Sequence, residues 1–73
     1  MRPPIAVIPL GKTEITFTRG DRGWHFHRWR TTGRRPADIV VHPADRELQF
    51  KSPSAAVTYF RERYADRFET EKK

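Results

Sequence analysis

The chain has 73 residues, no cysteine, and fifteen Lys plus Arg against nine Asp plus Glu, a formal net charge of +6. That length holds one small domain, which buries only about 60% of its unfolded surface, so the nine aromatic residues must form an efficient core. The lack of cysteine excludes disulfides, thiolate chemistry and sulfur-based zinc sites, and fits a reducing cytosol better than secretion.

The charge is local. Arg19, Arg22, Arg28, Arg30, Arg34 and Arg35 face only Asp21 between residues 19 and 35, so that segment carries +5 and the remainder +1. A concentrated basic field attracts polyanions or acidic protein surfaces.

In chain order, "MRPPIAVIPLG" is apolar but broken by Pro3, Pro4 and Pro9, too short for a secretory core or a membrane span. Residues 1–11 read as an extended or disordered arm, with Ile5, Val7, Ile8 and Leu10 available for docking. "KTEITFTRGDRGWHFHRWR" reads as a hairpin: its flanks alternate with period two, and Gly20-Asp21 suits a two-residue turn. That register pairs Phe17 with Trp24 and Ile15 with Phe26, and sets Glu14 opposite His27 and Thr16 opposite His25. "TTGRRPA" is a polar loop, and "DIVVHPADRELQF" reads as a second hairpin joined through Pro43–Arg46, pairing Val41 with Leu48 and Ile39 with Phe50. "SPSAAVTYFRERYADRF" is a helix capped by Ser52, with Pro53 in its first position and an apolar stripe through Ala56, Val57, Phe60, Tyr64 and Phe68. Its outer side mixes both signs of charge, unlike a membrane-surface helix. Residues 69–73 should fray.

The predicted fold is therefore α+β: an antiparallel sheet of three to four strands built from two hairpins, one C-terminal helix on one face, and a domain over residues 12–68. The expected core is Ile15, Phe17, Trp24, Phe26, Ile39, Val41, Leu48, Phe50, Val57, Phe60 and Tyr64. Thr16, Thr18, His25, His27, Trp29, Val40, His42, Glu47 and Gln49 should lie on the uncovered face. Trp29 has a second possibility, turned inward by a bulge to cover the sheet edge.

Catalytic equipment is missing from the pattern: there is no Gly-rich nucleophile elbow and no phosphate loop, and the acids are scattered. We expect no enzyme and no cofactor. His25, His27 and His42 could share a face with Glu47, but no metal-ligand spacing is present and polar exposure is the simpler reading. "RGD" at Arg19 to Asp21 matches an integrin-binding tripeptide, but an ordinary hairpin turn is the simpler reading. The candidate contact residues for a protein or nucleic-acid partner are Arg19, Arg22, His25, His27, Arg28, Trp29, Arg30, Arg34 and Arg35, with Ile5, Val7 and Ile8 on the arm.

Two resemblances bear on function. Trp24, Arg28, Trp29 and Arg30, followed by Phe50, Ser52, Ala55, Ala56 and Tyr59, resemble AP2 and integrase amino-terminal DNA-binding modules over about residues 13–65. Gln49 stands where those modules carry glycine. That resemblance implies a sheet entering the major groove, with Arg22, Arg28, Arg30 and Arg34 as readers. In size, Arg/Pro/Ala-rich composition and basicity the chain also resembles small phage-encoded regulators of bacterial RNA polymerase. This second resemblance implies a monomer in the host bacterial cytosol that binds polymerase near its RNA exit channel, inhibits initiation and prevents termination, with possible nucleic-acid contact. It implies no particular residues.

Overall fold

The computed structural model describes residues 4–68, with the side chains of residues 67 and 68 excepted. The chain folds as an α+β domain: a three-stranded antiparallel sheet in the order β1-β2-β3, with helices on one face. The strands are β1 (Ile5–Leu10), β2 (Thr13–Gly20) and β3 (Gly23–Thr31). The helices are α1 (Pro43–Arg46), α2 (Pro53–Arg63) and α3 (Ala65–Phe68).

The arm is a strand. Residues 5–10 pair with β2 from Ile5↔Thr18 to Leu10↔Thr13, through a two-residue turn in which Gly11 has φ 64°. Pro9 is compatible with this because Pro4 O accepts from Arg19 N, so alternation turns Pro4, Ala6, Ile8 and Leu10 toward β2. Pro9 then lies at an outward edge position, where no N–H is needed. Residues 1–3 of the expected arm, and the tail 69–73, lie outside the described residues.

The first hairpin forms with a shifted register. Phe17 pairs with Phe26 rather than Trp24, and Trp24 meets Arg19, because the turn is Asp21-Arg22 with Gly23 at φ 131°. The shift is by two residues, so Phe17 and Phe26 keep the core face. A bulge then falls between Phe17↔Phe26 and Thr16↔Arg28, leaving His27 as the extra residue and bringing Trp29 opposite Ile15. Trp29 is thereby turned inward and is 1% exposed.

The second hairpin is replaced. Val41 and Leu48 do not pair; His42 caps a single helical turn, its Nδ1 accepting from Ala44 N at 3.1 Å, with Pro43 as the first residue. Leu48, expected in the core, is 38% exposed. What remains of the expected strands are two short straps on the outer edge of β3. Trp24 exchanges both backbone hydrogen bonds with Phe50, and residues 37–39 bond to Thr31 and Trp29.

The helix begins as its sequence dictates: Ser52 Oγ accepts from Ala55 N and Pro53 is the first residue. It ends earlier than expected, at Arg63, with Tyr64 leaving helical geometry before α3. Ala56, Phe60 and Tyr64, spaced by four, press onto Leu10, Ile15, Phe17, Phe26, Trp29 and Val41. Phe60 is fully buried, with six aromatic rings at centroid distances of 5.3–6.2 Å. Buried side-chain polar atoms among the described residues are satisfied: Trp29 Nε1 donates to Thr13 Oγ1 (2.8 Å), which donates to Leu10 O (2.7 Å).

Asp45 ties α1 to α2. Its carboxylate, 4% exposed, accepts from Tyr59 Oη, Tyr64 Oη and Arg63 Nε. Burial pushes its pKa up, but hydrogen bonds from the two tyrosines and Arg63, with the guanidinium charge, outweigh that and leave it below the ordinary carboxylate value. The same bond raises the Tyr59 phenol.

Candidate interaction surface

With α2 covering one face of the sheet, the other face is open among the described residues. Alternation assigns to it Ile5, Val7 and Pro9 from β1, Glu14, Thr16 and Thr18 from β2, and His25, Arg28 and Arg30 from β3. Ile5 and Val7 are 55% and 53% exposed, large values for aliphatic side chains in a strand. They share a shallow cavity of about 270 Å³ with Glu14, Thr16, Arg28 and Arg30. Arg28 sits opposite Thr16 and Arg30 opposite Glu14, and neither arginine forms an ion pair among the described residues. The result is an aliphatic strip along β1 beside a cationic strip along β3, separated by the short polar side chains of β2.

The sequence-predicted contact residues divide accordingly. Arg28 and Arg30 belong to the open face. His25 also lies there, half-buried and hydrogen-bonded through Nε2 to Thr18 Oγ1 at 2.9 Å. His27 is exposed at the bulge. Arg19 is exposed but falls on the helix side of the sheet, opposite Trp24, while Arg22 is in the turn. Arg34 and Arg35 are exposed on the loop after β3. Trp29 is not a contact residue: it is core, with its indole N–H spent on Thr13. Ile8 is not one either, since it pairs with Ile15 and packs against the core, and Leu10 is 8% exposed. Ile5 and Val7, expected as arm contacts, are exposed, now on a fixed strand. Glu14 and Thr16, which complete the patch, follow from the strand alternation once β1 is placed.

Among the described residues no cluster of three His, Cys, Asp or Glu could hold a metal ion; His42 is occupied as the α1 cap. No helix among them is long and apolar enough to cross a membrane. No protein-family model, no curated protein and no solved structure matches the chain.

Proposed function

We propose that the chain is a small non-enzymatic transcription regulator that binds bacterial RNA polymerase through the open face of its sheet, acting in the bacterial cytosol to inhibit initiation or prevent termination. The observation that carries a protein partner is the exposure of Ile5 and Val7 beside Arg28 and Arg30. Aliphatic groups supply the desolvated centre of a protein interface and arginines its polar surround. Solvent-facing Ile and Val give nothing to a phosphate backbone. The polymerase itself comes from the sequence resemblance in size, composition and basicity.

A second reading has its own support. Arg28 and Arg30 project from an open three-stranded sheet followed by a helix, the layout of sheet-based DNA readers, and the net charge is +6.

One experiment separates them. Purified polymerase is captured on the tagged protein with and without nuclease, using wild type, an Ile5→Ser/Val7→Ser variant and an Arg28→Ala/Arg30→Ala variant. The protein-interface reading expects nuclease-resistant capture, weakened about tenfold or more by the serine pair, since about 1.4 kcal/mol corresponds to a factor of ten. Capture that disappears with nuclease, is untouched by the serine pair, and falls linearly in log affinity with log salt would favour the DNA reader.

A further inference from the structure

A separate cavity of about 300 Å³ opens at the outer edge of β3, lined by Phe26, His27, Arg28, Asp38, Ile39 and Arg46 among others. Its position follows from the two straps. Phe50 covers the edge at Trp24, and residues 37–39 cover it at Trp29 and Thr31, leaving the stretch between them open. Trp24 directs its backbone N–H and C=O away from β2, so alternation directs those of Phe26 the same way, into the gap. They have no partner among the described residues. The gap is too short for an added strand, but it is wide enough for one side chain.

Cationic groups converge there. The Arg46 guanidinium lies over the Phe26 ring at 5.2 Å, and stacking leaves its in-plane N–H groups free to donate sideways as a fork. The bulge sets His27 and Arg28 consecutively at the edge, so that both line this cavity as well as the open-face one. Neither Arg28 nor Arg46 forms an ion pair among the described residues. Asp38, on the same wall, opposes anions in proportion to their charge, so it penalises a phosphate dianion twice as much as a carboxylate. Ile39 and the aromatic edge offer an apolar wall for methylene groups.

We propose that this edge cavity is a carboxylate site that receives a glutamate side chain of a protein partner. The Arg46 fork and the Phe26 N–H serve as donors, and Arg28 is the second cation. It is distinct from the Ile5–Val7 patch and shares only His27 and Arg28 with it.

The test uses the protein alone, so it stands or falls separately from polymerase capture. Amide and arginine Nε–H resonances are followed by NMR at constant pH and ionic strength while N-acetyl-glutamate amide, or inorganic phosphate, is added. The expected result is a saturable shift of the Phe26 amide and Arg46 Nε–H with blocked glutamate, half-complete on the order of 10 mM, the scale of one charge-assisted contact. Ile5 and Val7 amides should stay still. Arg46→Gln should abolish saturation, and Arg46→Lys, which keeps the charge but loses the fork, should weaken it at least about threefold. Spectral dispersion reports whether each variant is folded, and Arg46→Lys carries the comparison if Arg46→Gln is not. Non-saturating shifts, equal saturation in Arg46→Lys and wild type, or tighter saturation by phosphate would overturn the assignment.

Discussion

Phe60 is the point at which the sheet and α2 are joined, and its replacement has a calculable effect. The ring is fully buried, and Phe17, Phe26, Trp29, Phe50, Tyr59 and Tyr64 surround it. Phe→Ala in a core costs about 3–5 kcal/mol, and the upper end applies here because three of the six rings come from paired strands that cannot collapse into the void. At about 0.05–0.15 kcal/mol per residue, 73 residues hold roughly 4–11 kcal/mol in total. Phe60→Ala therefore removes a large share of the stability and leaves little to measure. Phe60→Leu is the quantitative probe. A near-volume hydrophobic swap costs under about 1.5 kcal/mol, and the loss of ring-to-ring contacts adds about 0.5–1.5 kcal/mol. The expected total is about 2 kcal/mol, read in urea by tryptophan fluorescence as a midpoint shift of about 2 M, for a slope near 1 kcal/mol/M. Val40→Ala, at a side chain 74% exposed, is the control and should change stability by under about 0.5 kcal/mol. Equal midpoint shifts for Phe60→Leu and Val40→Ala would refute the idea of one ring organising the core.

The Asp45 pKa is lowered by folding, so the stability it contributes is complete above about pH 4 and is lost as pH falls through the lower folded value. Asp45→Asn should thus flatten the acid limb of stability below about pH 4, and cost about 1–3 kcal/mol at neutral pH through unpaired buried groups; an unchanged acid limb counts against the network. A Cβ on Gly23, at φ 131°, would stand 2.6 Å from Phe50 O, so Gly23→Ala should cost about 2–3 kcal/mol and loosen the Trp24–Phe50 strap. Gly33→Ala, with nothing within 4 Å, should be near neutral, and denaturation of the pair reads the difference. Deleting His27 should be tolerated although it lies within β3, because Phe26, Arg28 and Trp29 keep their faces when the bulge is removed; a collapsed NMR spectrum would contradict the assigned register.

Much of this architecture is legible in the residues. Period-two alternation marks β2 and β3, and Ser52-Pro53 marks the start of α2. His42-Pro43 uses the same device, a side chain capping a helix that begins with proline, but histidine is not a usual cap, and the symmetric apolar residues around it read as a hairpin. β1 is hidden for a different reason. Prolines argue against a strand in general, yet not at an outward edge position, and which positions face outward is set only by the partner strand. Trp29 looks exposed until the bulge is counted, since a single extra residue reverses the face of everything after it. The candidate surface inherits these difficulties: Arg28 and Arg30 are evident from local charge, and Ile5 and Val7 from the apolar arm, but that the two pairs share one face shows only once β1 is docked.

Pro9 and the two straps on β3 also bear on how the protein behaves in bulk. A three-stranded sheet has two lateral rims, and each offers backbone groups that another copy could zip onto. Here one rim is interrupted by a residue that cannot donate, and the other is sealed at both ends by the chain's own loops. Among the described residues few consecutive backbone groups stay unpaired on either rim, which disfavours templated fibril growth, and the shared +6 charge opposes association. The open face can therefore expose Ile5 and Val7 without a long bare strand rim beside them.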